Sequence, residues 1–367
     1  MGRRLPRQLS SDDCRGHLRN PAQHHRRARA RPSPRIVQML QLLPDDDQLQ
    51  IVDAVQRYVR DEFPVSRLRL ENEKRRELPR WAEIAELGYL TIALTEALGG
   101  AGFSMAEEVL VFREFGRALI SPVAVATTVT AHVLAAGERQ DQIVAAIAAG
   151  TTRAAPAVCT SDGSLLVIDG DRANLVVLRD EQGLSIFERQ ALRPKGQARS
   201  LDDSVGLERA EIVGKPLMVG TAADTRHYQL LIAAMQVGLG EQARDMAVAY
   251  GKERIQFGKP IGSFQAIKHR CADMAVASEM AYAQLLFATI AERDGAPGSP
   301  FQVHAACLLA GRSAAENSTG AIQVHGGIGF TSEFDSHRFV KRARVLDQLG
   351  GDATVHRTAL LTASFPA

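Results

Sequence analysis

At 367 residues the chain is long enough for two or three packed units. Its 45% hydrophobic content is ordinary for a globular protein, and no run of about 18 apolar residues offers a membrane span. The net charge of +2 hides an asymmetry, because residues 1–38 carry ten Arg and two Asp, or +8, and leave −6 for the other 329 residues. The body is therefore mildly acidic and has no overall electrostatic case for nucleic acid.

The first 38 residues, rich in Arg, Pro and His, lack the apolar core of a secretory signal and cannot form a hydrophobic face. They read as a disordered basic extension, with a nucleic-acid arm or a mitochondrial-type presequence as lesser readings and a start of translation at Met39 as the preferred one. Residues 39–150 are expected to be helical. Asp45–Asp47 can cap a helix whose apolar face uses Leu49, Val52, Val55 and Val59. Trp81, Ile84, Leu87 and Leu90 recur at helical spacing and read as core, followed by a glycine-rich turn at 99–102 and a further helix.

Residues 151–220 change character. Ser164–Ile168, Leu175–Leu178 and Leu184–Phe187 are short β-rich runs separated by Asp169–Gly170 and Gln182–Gly183 turns, which predicts a small antiparallel β unit. Residues 221–367 return to helical periodicity. A long helix carries Leu231, Ala234, Met235, Gly238, Leu239, Met246, Ala249 and Tyr250 on one stripe. Segments near 263–293, 298–325, 333–347 and 352–363 follow it, the pattern of a bundle. The expected class is α+β, mainly α: a helical domain, a shortened β domain and a C-terminal four-helix bundle.

Two stretches exceed what structure alone requires. In "ERIQFGKPIGSFQAIKHRCADM", Gly258, Pro260 and Gly262 suffice for a turn. Arg254, Gln256, Phe257 and Gln265 go further: an arginine fork suits a pyrophosphate, an aromatic face a planar ring, and an amide a base or ribose edge. In "AIQVHGGIGFTSEFDSHRFVKRAR", Gly326 and Gly327 sit where a helix ends and would let a phosphate or another backbone approach, although by itself the stretch reads equally as a helix C-cap. No strand precedes them, so this is not a dinucleotide-binding fingerprint. His325 reads as a structural histidine, Lys268 and His269 as solvated or packing residues, and the Lys341–Arg344 run as a solvated helix face. Cys14, Cys159, Cys271 and Cys307 lack CxxC spacing, give no metal or disulfide signal and fit a reducing cytoplasm. Cys271 and Cys307 read as buried.

In this order, after a helix–sheet preamble, these motifs resemble the acyl-CoA dehydrogenase family over nearly all of residues 45–365. The likeness is most specific at 254–274 and 321–344, and clear in "WAEIAELGYLTIALTEALGGAGFSMAEE". It implies FAD, α,β-dehydrogenation of an acyl-CoA, and electron-transfer flavoprotein as redox partner. It also implies that Arg254, Gln256, Phe257, Gln265, Gln323, Gly326 and Gly327 face the FAD of a neighbouring subunit.

The chain also departs from the family. The usual catalytic Glu maps onto Gly350, and the alternative Glu position on the first long bundle helix maps onto Tyr228. Neither can take a carbon-bound proton at neutral pH. Asp352 and Asp347 are nearby carboxylates out of register, and proton abstraction is sensitive to misplacement of about 1 Å. The acyl-CoA-contacting Arg falls on Gln229, and roughly one flavin-holding hairpin is missing from the β domain. The resemblance thus points to the degenerate subunit of an α2β2 heterotetramer, like those of actinobacterial dehydrogenases acting on steroid side chains. A homologous catalytic chain would supply the rest of the site. Two alternatives stay open: a self-sufficient homo-oligomeric dehydrogenase using Asp352, and a non-enzymatic scaffold. Flavin-dependent hydroxylation or nitroalkane oxidation fits poorly, since it too needs a complete flavin pocket.

Overall fold

The computed structural model describes residues 42–69, 80–137 and 141–363, and the basic extension 1–38 with Met39 lies outside the described residues. The described residues beyond 41 belong to one compact unit. Helix α1 (Asp46–Glu62) begins at a reciprocal cap in which the Asp45 carboxylate accepts from the Gln48 amide and the Gln48 side chain accepts from the Asp45 N–H. Val52, Val55 and Val59 are buried as expected, but Leu49 is 49% exposed. In that first turn the inward position belongs to Gln48, whose Nε2 donates to Glu107 Oε1 at 2.6 Å. Helix α2 (Trp81–Glu86) buries Trp81 and Ile84, and Leu90 beyond it is buried too. Leu87 is exposed because the chain leaves the helix there and turns at Gly88, φ 74°.

Helices α3 (Met105–Arg117), α4 (Val123–Ala135) and α5 (Asp141–Ala148) complete the first layer. Almost every α4 side chain is buried, and its threonine hydroxyls are satisfied: Thr128 donates to Leu90 O at 2.9 Å and Thr130 to Ala126 O at 2.7 Å.

A seven-stranded sheet follows, in the order β5-β6-β2-β1-β3-β4-β7. Its strands are β1 (Ala154–Cys159), β2 (Leu165–Ile168), β3 (Leu175–Asp180), β4 (Gly183–Glu188), β5 (Leu192–Ala198), β6 (Leu207–Ile212) and β7 (Met218–Val219). The expectation of a purely antiparallel unit is corrected here, since β1 and β3 pair parallel, Ala154 with Leu175 through Ala157 with Leu178. After hairpin partner β2, the chain crosses through a short turn at Gly170–Arg172 to the opposite edge of β1, so β3 runs in the β1 direction.

The bundle comprises α6 (Ala222–Glu253), α7 (Gln265–Arg293), α8 (Ser299–His325) and α9 (Ser336–Gly350), with α10 (Ala353–Thr362) packed on α8. Helix α7 is long and apolar enough to cross a membrane, and half of its most apolar window is buried within the protein. The first helical layer locks onto the bundle where α3 crosses α6. A Cβ added to Gly238 would lie 1.8 Å from Arg113 O, and one added to Gly116 would lie 2.1 Å from Met235 O. Only glycine lets the two backbones meet at that distance.

Arg342 corrects the reading of residues 341–344 as a solvated face. Its side chain is buried, its Nε donates to Asp202 Oδ2 at 2.6 Å, and its Nη1 donates to the carbonyls of Leu119 and Ile120. Arg342 and its neighbouring hydrogen bonds hold the Asp202 carboxyl below its usual range despite burial. This pair ties the last helices to the sheet and to the Leu119 turn, a non-glycine residue at φ 53°. Cys307 is buried as expected, whereas Cys271 is only partly so.

Candidate functional site

Helix α6 ends at Glu253, and Arg254 leaves it with extended backbone, φ −71° and ψ 119°. The chain then forms a minimal hairpin, β8 (Ile255–Gln256) against β9 (Lys259–Pro260). Its two central residues, Phe257 and Gly258, both have positive φ, 53° and 76°. Such a turn matches the twist of paired strands, but φ > 0 is natural for Gly258 and costly for a phenylalanine, on the order of 1–3 kcal/mol. Phe257 is moreover 91% exposed. A strained aromatic held out in water is poorly explained by packing within this chain, whose nearest ring contact to it is an edge of Phe264 at 6.1 Å.

The other expected cofactor residues share this outward exposure. Gln256, Gln265, Gln323, Gly326 and Gly327 are all exposed, as is Arg254. Gln256 Nε2 donates only to the carbonyl of Ile255, 2.8 Å away. At Gly326 (φ 67°) and Gly327 an added Cβ would meet nothing within 4 Å, so the backbone there is open to approach. An aromatic stack links the hinge to the glycine turn: Tyr250, one helical turn before Arg254, lies over His325 with ring centroids 4.4 Å apart. His325 immediately precedes Gly326, is buried, and its Nδ1 lies 2.7 Å from Ala321 O. It is thus the structural histidine expected from the sequence, and it anchors the end of α8 against the end of α6.

The two positions expected from the sequence to match a catalytic carboxylate, Gly350 and Tyr228, are both buried. Gly350 closes α9, is buried, and an added Cβ there would sit 2.9 Å from Ile232 Cγ2. Its carbonyl accepts from Gln229 Nε2 at 3.3 Å, and the neighbouring Leu349 carbonyl accepts from Arg179 Nε at 2.8 Å. Tyr228 is 1% exposed, and burial pushes its hydroxyl pKa up, further from any use as a base. Asp352 is exposed and serves as the cap of α10, accepting from the amides of Thr354 and Val355 at 2.8 and 3.0 Å. Asp347 accepts from Gln236 Nε2 at 2.9 Å, and burial raises its carboxyl pKa. In the sheet, β1 passes into β2 through the Thr160–Ser164 loop alone, closed by Thr160 N–H donating to Ser164 O at 2.8 Å.

One constellation escaped sequence reasoning. Glu108 on α3, His132 on α4 and His227 on α6 converge inside the protein, with both imidazole Nε2 atoms 2.6 Å from the Glu108 carboxylate. Their separation in sequence is too large for any motif, and each sits singly on an apolar helix face.

Taken together, these observations define a helix–sheet–helix protein. Its bundle presents an exposed arginine, aromatic and glycine surface suited to an anionic ligand with a planar ring. The acyl-CoA dehydrogenase N-terminal domain matches residues 45–150 and the acyl-CoA dehydrogenase C-terminal domain matches residues 222–364. The acyl-CoA dehydrogenase IpdE2 of Mycobacterium tuberculosis (strain ATCC 25618 / H37Rv) is 34% identical over 274 residues, covering 73% of this chain and 81% of its own. The chain belongs to the acyl-CoA dehydrogenase family, whose members are FAD-dependent flavoproteins. Among solved structures, a chain of the ChsE4–ChsE5 complex from Mycobacterium tuberculosis superposes with TM-score 0.74 at 21% identity, covering 89% of this chain and 100% of its own. A chain of the Tcur3481–Tcur3483 steroid ACAD also superposes with TM-score 0.74, at 23% identity over 86% of this chain and 96% of its own. At that identity the likeness shows the fold.

The open glycine turn, the projecting Phe257 and the exposed Arg254 and glutamines have the chemistry to meet an FAD nucleotide. Gly350, the expected base position, is packed against Ile232 instead.

Proposed function

We propose that this chain is the supporting subunit of a heteromeric, FAD-dependent acyl-CoA dehydrogenase. It lends Arg254, Gln256, Phe257, Gln265, Gln323, Gly326 and Gly327 to an FAD whose ring and proton acceptor belong to a homologous catalytic subunit. When bound, FAD supplies the hydride acceptor for α,β-dehydrogenation of an acyl-CoA thioester. This chain's part is to hold the nucleotide and exclude water from it, while Arg254 offers a fork of donors to its phosphates. The single observation that carries the reading is that Gly350, buried and packed so that an added Cβ would lie 2.9 Å from Ile232 Cγ2, offers no carboxylate at the base position.

The similar structures support the same reading, since one comes from the ChsE4–ChsE5 complex and another from a steroid ACAD. On this reading the assembly is α2β2, its substrate carries a fatty or steroid side chain, and its electrons pass to an electron-transfer flavoprotein in the cytoplasm. The bundle, residues 221–367, is the FAD-facing division. The helical layer 39–150 and the sheet 151–220 complete its frame.

Asp352→Asn in the assembled complex separates this reading from a self-sufficient enzyme. Asn caps a helix about as well as Asp, so the α10 cap and the melting temperature should be preserved. The expected kcat stays within about twofold of wild type. Loss of a true general base removes about 100-fold or more, and a loss of that size with unchanged stability would make Asp352 the base and end the proposal.

A further inference from the structure

The buried cluster formed by Glu108, His132 and His227 plays no part in the function proposed above. We propose that these three residues form a binding site for one divalent transition-metal ion, zinc being the best match to the donors. Each donor comes from a different helix: Glu108 from α3, His132 from α4 and His227 from α6. One carboxylate oxygen of Glu108 and one imidazole nitrogen from each histidine lie within 4.8 Å of one another. Glu108 is fully buried, His227 nearly so, and the His132 side chain is 20% exposed, leaving a side open to solvent for an entering ion.

The donor set argues for a metal beyond an ordinary ion pair. A buried carboxylate is neutralised by a single imidazolium, and here His132 alone would suffice. A second imidazole aimed at the same carboxylate from a third helix buries another polar group beside α4, whose buried side chains are Val, Leu, Ala and Thr. Two imidazole nitrogens with one carboxylate oxygen are the protein ligands of many zinc centres, with water in the fourth position. Magnesium and calcium prefer all-oxygen shells and fit poorly.

Metal bonds of about 2.0 Å in a tetrahedron separate the donors by about 3.3 Å. His132 Nε2 lies 2.6 Å from Oε1 and His227 Nε2 lies 2.6 Å from Oε2 of the same carboxylate. Rotation of the three side chains would widen those contacts and bring both nitrogens toward one ion. The helices themselves stay fixed, because the Gly116 and Gly238 crossing already locks α3 to α6. Asp224, whose charge acts on His132, would offset part of the positive charge remaining after Glu108 is counted. The ion would serve as a clip joining the first helical layer to the bundle.

The test uses the full chain, with its partner where co-purification requires it, stripped with chelator and titrated with zinc or cobalt(II). The expected result is one ion per chain by elemental analysis, with the visible absorption of cobalt in a low-symmetry nitrogen–oxygen site. Replacing a direct ligand should weaken binding at least about 100-fold, more than the loss of an outer-shell partner. His132→Gln, at the partly exposed position, is the first variant, and His227→Gln is the second if it folds. Folded wild-type protein that takes up no metal overturns the proposal. So does uptake unchanged in His132→Gln, which would place the ion elsewhere, for instance at His17, His24 or His25 of the N-terminal segment.

Discussion

Arg254→Ala should lower the affinity of the assembled complex for FAD about 100-fold, while the chain itself stays as stable as wild type. Hydrogen bonds between a charged donor and phosphate contribute about 1.5–3 kcal/mol, and tenfold in affinity corresponds to about 1.4 kcal/mol. Stability should not change, because Arg254 is exposed and its guanidinium makes no hydrogen bond or ion pair among the described residues. Its backbone roles, accepting from Ile261 N–H and donating to Tyr250 O, survive truncation to alanine. Arg254→Lys should recover only part of the loss, since an ammonium cannot reproduce the two-pronged fork. Flavin absorbance retained after gel filtration, followed by titration with FAD, measures both variants. Full retention by Arg254→Ala would remove the hinge from the cofactor site.

Gly350→Glu, which restores the residue type of the usual family base, should not create a working one. It should instead destabilise the chain by about 3 kcal/mol or more. The first carbon of the new side chain already meets Ile232 Cγ2 at 2.9 Å, and the Gly350 carbonyl is held by Gln229. Gly350 is itself buried, so an ionised carboxylate there would be desolvated. Denaturant unfolding reads the stability loss, and flavin reduction by acyl-CoA reads the activity. A variant of unchanged stability that reduces flavin through the new carboxylate would show a latent catalytic site, contrary to the supporting role.

The helices were legible because their punctuation is local. The Asp45 cap and the Gly-Pro hinge act within a few residues, so α1 and the segments from α6 onward fall close to their expected bounds, whereas α2 ends before Gly88, earlier than the Leu87 and Leu90 spacing suggested. The sheet was read only in part. Three β-rich runs announced β2, β3 and β4, whereas β5 and β6 carry Pro194, Gly196 and many charges on a half-exposed edge, which mute the alternation. The parallel β1–β3 pair depends on a crossover that no local pattern encodes. Arg342 misled for a related reason: its partners, Asp202 and the carbonyls of Leu119 and Ile120, lie more than a hundred residues away.

The candidate site shows the same division. Phe257 stood out because a turn alone does not need it, yet its positive φ could be learned only from the fold, and Gly326 does what a helix end alone asks of a glycine, closing α8 at φ 67°. The register at Gly350 raised the expectation of a missing base. That the position is packed against Ile232, rather than left open for a carboxylate from elsewhere in the chain, required coordinates. The Glu108, His132 and His227 cluster gave no sequence signal, because three helices must pack before its members become neighbours.

The FAD content of the protein, purified alone and together with a homologous catalytic chain, tests the division of labour most directly. The expected result is a colourless single chain and a complex holding about one FAD for every two chains. A full complement of FAD on this chain alone, reduced on addition of an acyl-CoA, would contradict it.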